Sequence, residues 1–173
     1  MKRAFLSLCA VLFICTAPVL ALTQSFSDSI GLTATDWTDN LTFPKFDSSL
    51  GTLTQVEIQL TGTMNAILGI QNMSTTGKAS SGNGVVDVII STTVPGSLLT
   101  QSVNLASVPF LYSLAAGQST TSGLLTDSDV SNAAYNAAGI LAAFTGTGTV
   151  DLTINAGSTM TLVNKGGPTM IGE

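Results

Sequence analysis

The sequence predicts an all-β fold, an antiparallel β-sandwich of the jelly-roll-like type with one short helix near residues 128–143. Apolar residues make up 45% of the chain and charged residues only 9%, too few for the Lys- and Glu-rich surface of a helical bundle. Several segments alternate apolar residues with Thr, Ser, Asn or Gln, as half-buried strands do. Clusters rich in Gly, Ser and Asn separate these segments and predict turns.

The first 21 residues have the pattern of a cleavable signal peptide. Two basic residues follow Met1, and an apolar run then extends to residue 15. That run is shorter than the roughly 20 residues of a spanning helix. Val19 and Ala21 are small residues at the −3 and −1 positions of a cleavage site. We therefore expect cleavage between Ala21 and Leu22 and secretion by the Sec route, with no membrane span in the mature chain.

The mature chain is acidic and lacks several reactive residue types. Cleavage after residue 21 of the 173 leaves 152 residues, a length that suits a single domain over residues 22–173. The mature chain keeps three lysines and all ten acidic residues, so the net charge changes from −5 to −7. No Arg, His or Cys remains. The chain therefore cannot form a disulfide, and it has no basic surface for a nucleic-acid partner.

Alternation and turn signals predict the individual strands. The alternating runs are 55–61, 64–70, 86–90, 102–105 and 149–154, followed by 160–162. Gly62 separates the first two runs, which predicts a hairpin there. The predicted turns are 47–51, 80–84, 95–96 and 155–157.

One alanine-rich segment, residues 127–144, departs from the period of two. Apolar residues within it recur at spacings of three and four, which predicts a helix. Asp127 and Asp129 stand at its front, where acidic residues cap a helix and suit the positive end of its dipole. Gly139 is a weak point inside the predicted helix.

Two separated blocks resemble the choice-of-anchor E domain family. Residues 43–56 read Phe-Pro-Lys-Phe-Asp-Ser-Ser-Leu-Gly-Thr-Leu-Thr-Gln-Val, and residues 141–150 read Leu-Ala-Ala-Phe-Thr-Gly-Thr-Gly-Thr-Val. Both blocks are similar to that family in order and spacing, and the resemblance covers most of the mature chain. The motif residues are Phe46, Asp47, Leu50, Gly51, Leu53, Phe144, Gly146 and Gly148.

The resemblance implies a bacterial exported β-domain that usually precedes a C-terminal sorting signal, often of the PEP-CTERM type. This chain departs from that pattern at its end. After Lys165 it reads Gly-Gly-Pro-Thr-Met-Ile-Gly-Glu, without a Pro-Glu-Pro motif, an apolar span or a basic tail. We expect either an unanchored protein or a sequence that is truncated at the C-terminus.

The motif residues also have structural interpretations of their own. Phe46 and Leu50 are expected to fix the loop between two early strands to the core. Gly51 is expected to allow a positive φ before the next strand. Gly146 and Gly148 indicate a bulge or a close approach of two backbones where the predicted helix gives way to a strand.

The residue types of the mature chain predict a protein without catalytic activity and without a cofactor. A Ser–His or Cys–His nucleophile is impossible without His or Cys, and zinc and copper sites lack their usual ligands. No Ser-x-x-Lys motif occurs either. Calcium takes only oxygen ligands, so Asp127 and Asp129 are weak calcium candidates beside their helix-capping interpretation. Trp37, the single Trp, is interpreted as a core aromatic, with a carbohydrate platform as the alternative.

Two functional hypotheses remain. The first is a structural or interaction protein of the bacterial cell surface or extracellular matrix, whose partner is a second copy of itself or an extracellular polysaccharide. The second is a calcium- or carbohydrate-binding module.

Overall fold

Antiparallel strands account for most of residues 22–172, the part of the chain that this computed structural model describes. One short α-helix, α1 (Ala138–Phe144), and a 3-10 turn at Ser48–Leu50 accompany them. The strands are β1 (Trp37–Pro44), β2 (Val56–Ala66), β3 (Gly69–Asn72), β4 (Ser80–Thr93), β5 (Thr100–Ala106), β6 (Phe110–Leu114), β7 (Ser119–Thr121), β8 (Leu125–Tyr135), β9 (Thr149–Gly166) and β10 (Thr169–Gly172). The predicted all-β class with one short helix is confirmed.

The strands form two facing layers. The first layer has the order β1-β9-β4-β5, and β6 pairs with the start of β4 beyond the end of β5. The second layer consists of the β2–β8 ladder and the β10-β3-β7 ladder. Because β3 follows β2 and β8 follows β7 after short breaks, these two ladders continue one another along the chain.

Apolar side chains on the inner faces of both layers make the core. Strand β2 alternates buried and exposed residues along most of its length, as a half-buried strand should. The main cluster joins residues of β2, β4, β5, β8 and β9. A second cluster lies around Ile140 of α1, and a third surrounds Ile70 of β3. The sheet faces therefore pack on each other, and α1 covers one end.

Three predicted turns or hairpins are wrong, because glycines lie inside strands. Strand β2 runs through Gly62, whose absent Cβ would lie 2.9 Å from Cδ1 of Ile90 on the facing layer. Residues 80–84 belong to β4, where a Cβ on Gly82 would collide with the carbonyl oxygen of Val163. Residues 155–157 lie inside β9. At Gly62 and Gly82 the glycine permits close packing in place of a turn.

The predicted helix begins too early. Residues 125–135 form β8, which pairs residue by residue with β2 from Val56↔Tyr135 to Ala66↔Leu125. Asp127 and Asp129 are therefore strand residues, and their predicted capping role is wrong. The helix spans Ala138–Phe144, and its N-cap residue Ala137 makes no side-chain capping bond. Long-range pairing with β2 outweighs the weak helix preference of the alanines.

Candidate functional site

Side chains close one long side of the sandwich, between β5 and β8. Nε2 of the buried Gln101 on β5 donates to the carbonyl oxygens of Ile58 (3.0 Å) and Ser131 (2.8 Å) in the other layer. The hydroxyl of Tyr135 donates to Oε1 of Gln101 at 3.2 Å. The two layers are therefore joined here by hydrogen bonds that satisfy buried polar groups.

The opposite long side is open between β1 and β2. Within residues 22–172, β1 pairs only with β9 and β2 pairs only with β8, so each strand leaves one edge unpaired. Between these edges lies a groove of about 1600 Å³, here named the β1–β2 groove. Its apolar lining includes Leu41, Phe43, Leu60, Val88, Phe144 and Ile154. The groove reaches the main core, because these residues belong to that core or pack against it.

The unpaired edge of β2 is a surface for backbone pairing. Strand β2 is 11 residues long, and its edge opposite β8 presents free N–H and C=O groups. Next along the same line, β3 has this edge occupied by β10, from Thr169↔Asn72 to Gly172↔Gly69. A strand position that is filled beside β3 is thus vacant beside β2.

Residues 22–35, here named the N-terminal arm, lie along the β1–β2 groove. Nearly every residue of the arm lines the groove, and Ile30 packs against the main core. The arm nevertheless joins no strand ladder of the described chain. The sequence prediction missed this segment, although its apolar residues fall on alternate positions from Leu22 to Ala34.

Trp37 lies where the arm meets β1. It is the first residue of β1, is partly buried against the main core and lines the β1–β2 groove. The core-aromatic interpretation therefore describes its packing, while its partial exposure leaves it in reach of a molecule bound in the groove.

The two weak calcium candidates already have backbone partners. Oδ2 of Asp127 accepts from the backbone N–H of Ala106 on β5 at 2.9 Å, and Oδ1 accepts from the N–H of Ser128 at 2.9 Å. Oδ1 of Asp129 accepts from the N–H of Val130. In the described residues no three acidic, His or Cys side chains come together in a group that could hold a metal ion. The carboxylate of Asp127 thus gives the backbone N–H of Ala106, on β5, a hydrogen-bond acceptor.

The two motif blocks meet at the α1 end of the sandwich. The N–H of Phe46 donates to the carbonyl of Phe144 at 2.8 Å, and the N–H of Gly146 donates to the carbonyl of Phe46 at 2.9 Å. Asp47 Oδ1 accepts from the N–H of Ser49 at 2.8 Å and caps the 3-10 turn. These hydrogen bonds from Ser49 lower the pKa of Asp47, which is exposed.

Among the remaining motif residues, some expectations are confirmed and others are wrong. Gly51, Gly146 and Gly148 have φ values of 134°, 128° and 89°, so the positive φ predicted for Gly51 is confirmed. A Cβ on Gly146 or Gly148 would meet nothing within 4 Å, so these two glycines serve backbone conformation and not close approach. Leu53 packs beside Ile140 as part of the second cluster. Leu50 is half exposed, so its predicted role in fixing the loop is wrong.

The structure describes only one side of the expected cleavage site, because Ala21 lies outside the described residues and Leu22 is the first of them. In residues 22–172 no helix is long and apolar enough to cross a membrane.

Comparisons with protein-family models, with curated proteins and with solved structures found no significant match.

Proposed function

We propose that this chain is an exported, non-catalytic structural protein of the bacterial cell surface or extracellular matrix, which acts by associating with itself or with extracellular polysaccharide. The signal-peptide pattern and the resemblance to choice-of-anchor E domains support secretion to that location. The absence of His, and of Cys after residue 15, supports a role without catalysis.

The unpaired edge of β2 is the observation that carries the proposal. Proteins usually protect such edges with charges, prolines or a covering element, because free edges pair with other chains. Along β2 the only charged residue is Glu57, and no proline is present. Pairing through such an edge is an established mode of recognition, in which backbone hydrogen bonds supply affinity and side-chain pockets supply specificity.

The mature protein tests this proposal in two assays. Sedimentation velocity between 1 and 200 μM, followed by electron microscopy, should reveal concentration-dependent oligomers. Co-sedimentation with insoluble matrix polysaccharides should reveal any glycan partner. A protein that stays monomeric over this range and remains in the supernatant with every polysaccharide would contradict the proposal.

A carbohydrate-binding module is the second candidate, and the position of Trp37 at the groove favours it. Since Trp37 is the single Trp, its fluorescence reports directly on the groove. Titration with soluble glycans should shift the emission if a sugar stacks there. A ligand that binds only the folded state should also raise the melting temperature. Unchanged emission and melting temperature would exclude the tested glycans.

A further inference from the structure

We propose that the N-terminal arm of one copy inserts as a β-strand into the β1–β2 groove of a second copy and pairs with the free edge of β2. This inference rests on the proposed function, because it names the partner and the contact through which self-association occurs. Three features of the described residues support it.

The first feature is the fit between arm and groove. Leu22, Phe26, Ile30, Leu32 and Ala34 fall on one face of an extended arm, together with the polar Gln24 and Asp28. Every residue of the other face is Ser, Thr or Gly. This is the pattern of a strand with one buried and one solvated face. The arm has 14 residues and the free edge of β2 has 11, so one arm can cover the whole edge.

The second feature is that the arm is only partly accommodated in its own molecule. Phe26 is 51% exposed and Leu32 is 74% exposed, although both belong to the apolar face. The arm joins no ladder of residues 22–172, so β2 keeps its free edge while the arm lies beside it. The hydroxyl of Thr92, fully buried at the groove, has no hydrogen-bond partner among residues 22–172. A properly inserted strand would bury the apolar face and pair the edge.

The third feature is the junction between the arm and β1, which favours exchange with a second copy. Asp36 has φ of 67°, and it is the single non-glycine residue with positive φ in the described part of the chain. Its Oδ1 accepts from the N–H of Ser158 at 3.0 Å, which fixes the bend at the edge of β9. A short, strained hinge between a terminal segment and a fixed strand promotes exchange of that segment between copies. Each copy donates one arm and accepts one, so the exchange can close reciprocally into a dimer or extend head-to-tail into chains.

Substitutions on the two faces of the arm test the proposal. Phe26→Asn with Ile30→Asn makes two of the five apolar positions polar, whereas Ser27→Asn with Ser29→Asn changes the solvated face by the same number of residues. In sedimentation experiments the first variant should raise the dissociation constant for self-association at least tenfold. The second should leave it within twofold. Circular dichroism confirms that both variants keep the sheet structure.

Cross-linking identifies the groove as the acceptor. The chain has no Cys after residue 15, so introduced cysteines are the only reactive thiols of the mature protein. A copy with Ser29→Cys is mixed with a copy with Thr61→Cys on β2, and a short bismaleimide is added. We expect a covalent dimer of the two copies. A copy with Ser113→Cys on the distant β6 replaces Thr61→Cys in the control and should give no such dimer.

The outcomes separate this inference from the proposed function. If the protein self-associates but the apolar-face variant keeps the wild-type dissociation constant, exchange of the arm is refuted and self-association stands. If mixed single-Cys copies do not cross-link while Ser29→Cys and Thr61→Cys in one chain do, the arm serves its own groove and the inference is also refuted. If the wild-type protein does not self-associate, this inference is refuted, and only the polysaccharide-binding part of the proposed function remains to be tested by co-sedimentation.

Discussion

Gly82 shows how a single residue sets the distance between two strands. It lies inside β4 between β6 and β9, paired with Tyr112 on one side and Asn164 on the other. A Cβ at this position would collide with the backbone carbonyl of Val163, which cannot move without disturbing the ladder. The sequence Ser-Ser-Gly-Asn-Gly predicts a turn because turns and crowded strands both select glycine. Composition alone does not distinguish the two.

Replacing Gly82 with Ala should therefore cost about 3 kcal/mol of unfolding free energy, at the upper end for an overpacked site. Gly123 is the matched control, because a Cβ there meets nothing within 4 Å and its φ is not in the left-handed region. Gly123→Ala should change stability by less than about 0.5 kcal/mol. Urea unfolding of both variants measures the difference. Equal midpoints would contradict the collision.

Asp47 makes a second residue-scale prediction, on pH dependence. Its pKa is lowered from the ordinary value of 3.8 by the hydrogen bonds from Ser49, so its ionised form favours the folded state. That contribution is fully present above pH 3.8 and is lost as the pH falls through the lowered folded pKa. Asp47→Ala should lower the melting temperature at pH 7, and the difference from wild type should shrink below pH 3.8. A difference that stays constant down to pH 2 would contradict this.

At the scale of elements, the hydrogen bonds of Gln101 join β5 to the β2–β8 ladder. Replacing Gln101 with Leu removes both donated bonds and the acceptor of the Tyr135 hydroxyl. Each hydrogen bond contributes about 1 kcal/mol net, so a loss of about 3 kcal/mol is expected for the three bonds. Gln71→Leu on β3 is the control, because the side chain of Gln71 is exposed. Chemical unfolding should separate the two variants clearly.

The strands and the helix were predictable to different degrees. Alternation identifies most of β2, β5 and β9 correctly, because their inner faces are apolar and their outer faces polar. The alanines at 133 and 134 favour a helix locally, yet they lie opposite Ile58 and Glu57 in a ladder. Since their strand conformation depends on a partner about 75 positions away in the sequence, no local pattern predicts it.

At the scale of the whole molecule, the open side of the sandwich could not be read from the sequence. Whether an edge is free depends on which strands pair, and that is a property of the topology. The arm could have been found, because the alternation from Leu22 to Ala34 resembles that of the correctly predicted strands. Its partner edge could not, because nothing in the residues of β2 marks one side as vacant.

Calcium provides a whole-molecule prediction. The carboxylate of Asp127 accepts two backbone N–H groups, and no group of three possible ligand side chains occurs in the described residues. Addition of 5 mM Ca²⁺ should therefore leave the melting temperature unchanged, whereas a specific site would raise it. Magnesium at the same concentration controls for ionic strength. A rise with calcium alone would restore the calcium-binding hypothesis.

The position of the arm at the start of the mature chain would determine when copies become able to associate. The arm begins at Leu22, the residue that follows the expected cleavage site. Under the proposed export, an uncleaved signal peptide would hold the free end of the arm at the export machinery and keep it out of the groove of another copy. Cleavage would then act as a release step. Copies would become able to associate through their arms only after they have left the cytoplasm, so they would not assemble inside the cell that produces them.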